Sequence, residues 1–315
     1  MGRLLGRLAD SGHHESTLLM GFEIEFVLLN ESLDIARSPL DRTNAYSMTT
    51  GLSVLEEIVA TLEDVSGIQV YHFHTEIKDQ LEIALSPLPP MQAIDTVMMA
   101  QETIRALALS HGLKASISPR AVLGGPLSGV HAHMSVKSES LGLHFLAGVL
   151  KKVKPLRAFG LATYDSYLRA VGDAAGEWVG WETRNKDLPI NQISEPRWEL
   201  RFLDGTANIY LFIAALLVAG IDGVRQGYPR ESSDCNVAIP PSLGPGALGE
   251  WLGKYGITKR MPATLRDALD AAREDTELQG WVGPEPWARY LKVKETEVAT
   301  FSKMTDEERR QKLLE

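Results

Sequence analysis

Apolar and polar residues alternate in several stretches of the chain, which is the pattern of a β-strand with one buried face. In "GFEIEF", 21–26, three large apolar residues alternate with Glu23 and Glu25. Side chains two positions apart point to the same side of a strand, so the two acids are expected to share one face. The stretches "SGVHAHMSV", 128–136, and "PRWELRFLD", 196–204, repeat this design with imidazoles and with arginines around an acid.

The same patterns along the whole chain predict six strands and a larger number of helices. The predicted strands are 19–29, 68–74, 81–86, 114–118, 129–137 and 197–204. The predicted helices are 51–64, 89–112, 141–152, 207–226, 264–275, 285–301 and an amphipathic tail at 302–315, which Thr305 is predicted to cap. The Pro/Gly/Ser-rich stretch 238–249 is predicted to be a loop. Because the strands alternate instead of being uniformly apolar, they favour an α+β fold over a doubly wound parallel sheet. We expect an antiparallel sheet with helices on one face and a cavity on the other.

Composition narrows the classes of partner. The chain has 315 residues and a net charge of −9, which argues against nucleic acid because phosphate binding needs a basic surface. One cysteine, Cys235, leaves no disulfide framework within the chain and fits a reducing, cytoplasmic location. The longest apolar run, 209–221, is too short to span a bilayer and predicts a buried helix, so no membrane partner is expected.

The polar faces of the alternating strands carry residue types that bind metals and phosphate. Taken singly, each such face is more often a solvated surface, but lysine, which is common on solvated strands, is absent from all three. Two further acids flank a short turn in "HTEIKDQLEI", 74–83. The whole set is Glu23, Glu25, Glu76, Glu82, His131, His133, Ser135, Arg197, Glu199 and Arg201.

Clustered carboxylates repel one another unless a cation lies among them. Hard cations such as Mg²⁺ or Mn²⁺ take carboxylate oxygens, and Mn²⁺ also accepts imidazole, so the set predicts two or three divalent ions. Arg197 and Arg201 offer planar forks for phosphate or carboxylate groups. This combination is typical of phosphoryl transfer, here without a P-loop, since the chain contains no GxxxxGK[ST] motif.

An ordered series of motifs resembles the catalytic domain of glutamine synthetase from about Gly21 to the C-terminus. The series is "GFEIEF", "HTEIKDQLEI", "SGVHAHMS", "SYLRAVG", "TRNKDLPI" and "RWELRFLDGTANIYLFIAALLVAGIDG". The resemblance implies a short segment 1–18 followed by a catalytic domain at 19–315, with divalent ions in a funnel between an antiparallel sheet and helices. It also implies ATP as a co-substrate. In that family ATP phosphorylates a carboxylate, and an amine then attacks the acyl phosphate.

The resemblance implies roles for individual residues by their position in these motifs. Two metal ions would be held by Glu25, Glu76 and Glu82 and by Glu23, His131 and Glu199, the second lying nearer the ATP phosphates. The nucleotide positions are His133, Ser135, Arg197 and Lys186; the substrate positions are Arg169, Arg201 and Gly129; the catalytic candidates are Arg169 and Glu177. The acidic flap residue of the family falls on Ala175, and Glu177 would serve if the loop shifts.

The sequence departs from the family at positions that contact the substrates. Pro126 and Leu127 replace an Asn and a Gly in the substrate loop, and proline has no N–H to donate. Lys186 and Asn191 stand where the family usually has arginine; Lys186 keeps the charge without the planar fork, and Asn191 loses the charge as well. The turn within "HTEIKDQLEI" is one residue shorter than usual. Only 20 residues precede Gly21, where the family has a β-grasp domain that completes the ammonium pocket, and this weighs against ammonia as the amine.

Three functions remain open from the sequence. The first is an ATP- and divalent-metal-dependent carboxylate–amine ligase of nitrogen metabolism that uses a non-standard amine or acid. The second is a true glutamine synthetase. The third is a non-catalytic relative that binds metal or nucleotide as a scaffold, which the altered arginines favour and the six retained metal-site residues oppose. The expected partners are a small carboxylate, an amine and ATP, and a homo-oligomer is left open. His72 and His74 are expected to be solvated or packed, with metal binding as the alternative.

Overall fold

The computed structural model describes residues 18–36, 50–76, 79–170, 175–183, 186–240 and 243–314. The predicted short segment 1–18 lies outside the described residues, apart from Leu18, which begins the first strand.

A sheet of eight strands organises the described residues. The strands are β1 (Leu18–Leu29), β2 (Val70–Thr75), β3 (Leu81–Leu85), β4 (Lys114–Ser116), β5 (Val130–Val136), β6 (Trp181–Glu182), β7 (Ile190–Ser194) and β8 (Arg197–Leu200). Their order is β2-β3-β1-β5-β8-β7-β6, and β4 pairs with the end of β1. Neighbouring strands are antiparallel except for β6 and β7. The predicted α+β fold with an antiparallel sheet is therefore confirmed, with one parallel pair at an edge.

Helices account for most of the remaining described chain. They are α1 (Thr50–Ala60, continued by a π-helical turn at Thr61–Val65), α2 (Pro90–Ser110), α3 (Glu139–Gly160), α4 (Ile209–Gln226), α5 (Pro245–Gly253), α6 (Leu265–Glu274), α7 (Thr276–Val282), α8 (Pro284–Phe301) and α9 (Asp306–Leu314). A short 3₁₀ helix lies at Asp165–Ala170. Helices α2 and α3 pack against β1 and β5, which confirms that helices back the sheet.

Capping residues explain where several helices begin and end. Asn208 precedes α4 and its side chain accepts a hydrogen bond from the Leu211 N–H, while Gly227 ends the helix with a φ of 63° that favours glycine. At the start of α9, the Glu308 N–H donates to the Thr305 hydroxyl and the Glu308 carboxylate accepts from the Thr305 N–H. This is a capping box, and it confirms the predicted Thr305 cap of the final helix.

Two predicted boundaries are wrong, and two strands were not predicted. The predicted loop 238–249 gives way at its end to α5, because proline at a first helical position does not oppose a helix. The predicted helix 141–152 continues through Pro155 to Gly160, since burial of its last two turns outweighs one lost backbone hydrogen bond. Strands β6 and β7 were not predicted, because β6 has two residues and β7 buries polar side chains that break the alternation.

The apolar face of the alternating strands forms the main core. Phe22, Ile24 and Phe26 of β1 are each at most 1% exposed, as the alternation predicts. Helix α4, Ile209–Gln226, is long and apolar enough by composition to cross a membrane, but two thirds of it is buried inside the protein. It is a core helix, as the sequence predicts, and it packs along α3.

Helices α3 and α4 cross at glycines, and this contact predicts a large stability effect. A Cβ added to Gly148 would meet the Ala219 carbonyl oxygen and would lie 2.8 Å from the Cα of Gly223. Backbone atoms at that distance cannot rotate away, so Gly148→Ala should destabilise the protein by roughly 2–3 kcal/mol, as overpacking does. Urea unfolding measures this. Gly280→Ala is the matched control because its added Cβ meets nothing within 4 Å. Equal urea-unfolding midpoints for the two variants would contradict the close contact between α3 and α4 at Gly148.

Candidate active site

The register of the sheet brings acids and imidazoles from distant segments onto one face. Glu23 on β1 lies directly opposite His131 on β5, and Glu25 lies opposite Glu82 on β3. Glu199 on β8 lies opposite His133 on β5. Because cross-strand neighbours share a face, these side chains form one row across four strands.

His131 lies at the centre of this row. Its Nδ1 is 3.3 Å from a Glu199 oxygen and 3.6 Å from a Glu23 oxygen, and its Nε2 is 3.8 Å from a Glu25 oxygen. Two groups of possible metal ligands follow, each with donor atoms within 4.8 Å of one another: Glu23, His131 and Glu199, and Glu25, Glu82 and His131. Carboxylate oxygens with one imidazole are the donor set that Mg²⁺ and Mn²⁺ accept.

The two halves of the row differ in their electrostatics. Burial, together with the charges of Glu23, Glu25 and Glu76, raises the pKa of Glu82 to about 8, although the charge of Lys186 partly offsets the rise. Burial alone would also raise the pKa of Glu23, but hydrogen bonds from His131 and His133 outweigh it and hold that pKa well below its ordinary range. The protein thus compensates Glu23 with its own groups and leaves Glu82 short of positive charge, which a bound cation would supply.

Glu199 is held by the protein's own donors. Its carboxylate accepts hydrogen bonds from Arg201 at 2.7 Å and from the Asn191 side chain at 3.0 Å. Burial would raise the pKa of Glu199, but the charges of His131 and Arg201 and the Asn191 hydrogen bond keep it below the ordinary value. Glu199 is therefore charged and fixed in orientation, as a metal ligand must be.

The raised pKa of Glu82 predicts that the metal-free protein loses stability as the pH rises. A carboxyl group with a higher pKa in the folded than in the unfolded state stabilises fully below its ordinary value of 4.5, and this contribution is lost as the pH rises toward 8. The expected loss is on the order of 2–4 kcal/mol. Mn²⁺ should reverse it by supplying the missing charge. Urea unfolding at pH 5, 6.5 and 8, with EDTA and with Mn²⁺, measures both effects.

The variant Glu82→Gln is the control for that experiment, because it removes the titrating group but keeps the side chain's volume. Its pH dependence should be flatter than that of the unmodified protein. Glu182, whose pKa burial also raises to about 8, keeps titrating in both proteins, so their difference isolates Glu82. Identical pH slopes would show that Glu82 is not the responsive group.

A buried scaffold holds the loop next to the metal ligands. The Gly129 N–H donates to a Glu25 carboxylate oxygen. Gln80 is 1% exposed, and its side-chain amide donates to Ser128 at 3.0 Å and to the Leu127 carbonyl at 3.1 Å. The short turn before Glu82 thereby fixes the substrate loop that carries Leu127, through a residue the sequence did not single out.

Arg169 lies beneath the metal ligands. It is 1% exposed, donates to the Leu203 carbonyl at 2.9 Å and has a guanidinium nitrogen 3.2 Å from the His131 Nε2. Burial lowers the pKa of Arg169, while the charge of Glu25 partly restores it. The predicted substrate position Gly129 packs against the same guanidinium. Arg169 and Gly129 therefore lie together beside the donor row.

Three predicted nucleotide positions line a cavity of about 110 Å³ together with Glu23. They are His133, Ser135 and Arg197, and an Arg197 nitrogen lies 3.3 Å from the His133 Nδ1. The fourth, Lys186, is exposed, has a φ of 62° and acts through its charge on Glu82. Positive groups therefore flank the donor row on more than one side, as an anionic phosphate chain requires.

Two predicted site residues lie away from the donor groups described above. Glu76 is exposed and lies 3.1 Å from the His74 Nε2, so its charge influences Glu82 from the rim of the sheet. Glu177 is half-buried, and its carboxylate lies 3.3 Å from the Arg260 guanidinium. Neither group of possible metal ligands described above includes Glu177. His72, expected to be solvated or packed, forms a third ligand group with His74 and Glu82.

Several residues around the site carried no signal in the sequence analysis. Gln80 stands in a quoted motif, but its burial depends on contacts with residues almost 50 positions away. Glu182 is fully buried opposite Asn191 in the parallel β6–β7 pair, which was itself not predicted. By contrast, His72 and His74 were named from the sequence, with metal binding as the alternative to solvated or packed side chains, and on β2 they show the i, i+2 spacing of the other strands.

The model of the family described as "Glutamine synthetase, catalytic domain" matches residues 2–312. The chain belongs to the glutamine synthetase family. Protein fluG of Emericella nidulans is 35% identical over 310 residues, which cover 94% of this chain and 35% of that protein. A glutamine synthetase of Thermococcus kodakarensis is 29% identical over 292 residues, which cover 82% of this chain and 64% of that protein. The gamma-glutamylpolyamine synthetase GlnA3 of Streptomyces coelicolor is 29% identical over 244 residues, covering 69% and 51%.

Solved structures of glutamine-synthetase-like proteins share the fold. The GmaS/ADP complex superposes with a TM-score of 0.81 at 24% identity, covering 99% of this chain and 76% of that one. GmaS without ligand gives a TM-score of 0.80 at 25% identity, covering 98% and 74%. The chain spans between 35% and 64% of the length of the three curated relatives described above.

This glutamine synthetase family member has acidic and imidazole groups on its sheet that could bind metal ions. The family uses ATP and divalent metal ions, and its members include ATP-dependent ligases. The donor groups around His131 fit such ions by residue type, spacing and the missing charge at Glu82. The predicted family and fold are thus confirmed.

Proposed function

We propose that this chain is an ATP- and divalent-metal-dependent ligase that joins a carboxylic acid to an amine through an acyl phosphate. We further propose that the acid or the amine differs from the glutamate and ammonia pair. The observation that carries the proposal is the row of Glu25, Glu82, His131 and Glu199 across four strands, beside a buried arginine, in a member of a ligase family.

In this proposal, each group of the site has a distinct task. The two donor groups, Glu23, His131 and Glu199 and Glu25, Glu82 and His131, would hold the divalent ions, which when bound would supply positive charge to the phosphate oxygens. Arg197 and Lys186 attract the phosphate chain from either side of the row. Arg201 and Asn191 hold Glu199 in one orientation, and Gly129 does the same for Glu25 through its N–H. These residues position and stabilise charge, which is the main task in phosphoryl transfer.

The substrate side of the site supports a non-standard pair. The residues that replace the family's loop Asn and Gly are Pro126 and Leu127, and the Leu127 carbonyl is already engaged by Gln80. Asn191 stands in place of an arginine and donates to Glu199, so it offers no positive charge to a substrate. A relative of similar identity, GlnA3, is named a gamma-glutamylpolyamine synthetase. An amine larger than ammonia therefore agrees with the altered loop and with the printed name of GlnA3, while other relatives of similar identity are named glutamine synthetases.

A substrate screen tests this function. Thermal stability would be measured with Mn²⁺, ATP and panels of amino acids and amines, and pairs that raise the melting temperature would be assayed for phosphate release. We expect phosphate release only when a particular carboxylate and a particular amine are both present, with the amide detected by mass spectrometry. If the protein forms glutamine from glutamate and ammonia as fast as it joins the best pair from the screen, it is instead a true glutamine synthetase.

A scaffold without turnover is the competing function, and one observation favours it. Lys186 and Asn191 leave the phosphate-transfer region with fewer planar forks than the family has, and each lost fork can cost on the order of a thousandfold in rate. In that case ATP and Mn²⁺ would still stabilise the protein, while no tested pair would release phosphate. Stabilisation by Mn²⁺ alone, without any effect of ATP, would leave a metal-binding role.

A further inference from the structure

One cavity outside the donor row carries a concentration of lysines. Its volume is about 480 Å³, within the range of small-molecule sites. It lies between α3, the segment after α4 and the segment 256–259, and it shares no lining residue with the metal ligands. Its charged lining consists of Lys151, Lys154, Lys259 and Glu231, three positive charges against one negative.

Two of these lysines lack a carboxylate partner among the described residues. Lys151 and Lys154 are three positions apart on α3 and both line the cavity. Lys152, between them, points away and pairs with Asp275 and Glu277 at 2.9 Å each. The described part of the chain places no acid within ion-pair distance of Lys151 or Lys154, whereas Lys152 has two carboxylate partners.

The cavity wall also holds its cations in place. The Lys151 Nζ lies 3.6 Å from the centroid of the Tyr228 ring, a cation–π contact. Lys259 pairs with Glu231 at 2.8 Å across the opening. The hydroxyl-bearing residues Ser232 and Thr258 complete the polar lining. In a protein with a net charge of −9, this cavity is a local region of excess positive charge.

The residue types indicate which anion fits. Arginine is absent from the described lining, so the planar bidentate recognition typical of carboxylates is missing. Lysines act as point charges, and together with hydroxyl donors they suit the several oxygens of a phosphate group. We propose that this cavity binds a small phosphate-bearing metabolite at a site separate from the nucleotide positions of the sheet.

The cavity adjoins the segment that carries Glu177. Val179 lines the cavity, and its N–H donates to the Lys259 carbonyl at 2.8 Å. Two residues before Val179, the Glu177 carbonyl accepts from the Met261 N–H at 2.9 Å. The segment that carries Lys259 is therefore hydrogen-bonded to the segment that carries Glu177. Binding at the cavity itself does not depend on the ligase activity proposed above.

Calorimetric titration with pyrophosphate tests the proposal. The full chain is titrated in EDTA, so that no divalent ion supports binding at the sheet, and citrate is titrated in parallel as a multivalent carboxylate. The test variant is Lys151→Gln combined with Lys154→Gln. The control is Lys292→Gln combined with Lys303→Gln, two exposed lysines that line a different surface cavity of about 490 Å³.

We expect the unmodified protein and the control to bind pyrophosphate equally, and the test variant to bind at least about tenfold more weakly, because each lost charge-assisted hydrogen bond is worth about that. Hydrogen exchange should show protection at 228–232 and 256–259. Unchanged affinity in the test variant, equal loss in the control, or no binding at millimolar pyrophosphate would each overturn the proposal. Citrate binding as tightly as pyrophosphate would overturn the assignment to phosphate.

Discussion

Glu199→Gln should lower the affinity of the Glu23–His131–Glu199 group for Mn²⁺ by at least about 100-fold and reduce ATP-dependent turnover at least as far. Removing a residue that only hydrogen-bonds a metal ligand typically lowers metal affinity or activity 10–100-fold, and Glu199 is here the predicted ligand itself. Glutamine keeps an oxygen that accepts from Arg201, which now donates to Glu199 at 2.7 Å. Alanine would instead leave the Arg201 charge buried without a partner, at a cost of roughly 3–5 kcal/mol. Titration of free Mn²⁺ by electron paramagnetic resonance measures the affinity.

Glu195→Gln is the matched control for this substitution. Glu195 is exposed at the turn between β7 and β8, on the same hairpin as Glu199, so it tests the loss of one carboxylate without the loss of a ligand. The control should bind Mn²⁺ like the unmodified protein, and both variants should retain the far-ultraviolet circular dichroism of the folded sheet. If Glu199→Gln binds Mn²⁺ and turns over ATP normally, the ligand assignment is wrong.

Gly129→Ala should damage the site almost as severely, through packing rather than charge. An added Cβ would overlap the Arg169 guanidinium, lying 2.8 Å from its central carbon, and would lie 2.9 Å from the His131 Nε2. Arg169 is held by the Leu203 carbonyl and is 1% exposed, so it has no room to move. We expect a destabilisation of about 1–3 kcal/mol and a loss of Mn²⁺ affinity of roughly 10–100-fold as His131 is displaced.

The Gly280→Ala variant again serves as the control, since its added Cβ has no neighbour within 4 Å and it lies within α7. Replacing a helical glycine with alanine should leave stability unchanged or raise it by up to about 1 kcal/mol. Mn²⁺ titration and urea unfolding on the same samples separate a local effect on the site from a general loss of folding. Unchanged Mn²⁺ affinity in Gly129→Ala would show that Arg169 and His131 do not depend on the glycine.

Much of the fold could be predicted from local patterns. The strict alternation in β1, β5 and β8 predicted the strands and assigned each side chain to a face, because the two-residue period is a property of the strand itself. The α+β class, most helices and the Thr305 cap follow from similar local rules. Elements without a local signal were missed: β6 has two residues, and β7 buries polar side chains under a neighbouring strand.

The candidate site was predictable as a set of residues but not as a geometry. Residue types and the resemblance to glutamine synthetase identified Glu23, Glu25, Glu82, His131 and Glu199. They could not show that a single imidazole lies among three carboxylates, because that depends on the register of paired strands about 60 to 110 residues apart, which packing of the whole sheet determines.

The sequence by itself determined the family, the class of fold and which side chains face the same way along each strand. These are consequences of local geometry and residue chemistry, and they can be inferred without knowing which strands pair. Only the tertiary structure decided which acids lie opposite one another, that Glu82 is left short of positive charge, that Glu76 lies at the rim beside His74, and that Gly129 has no room for a side chain. Each of these depends on distances between segments far apart in the chain, which no local pattern encodes.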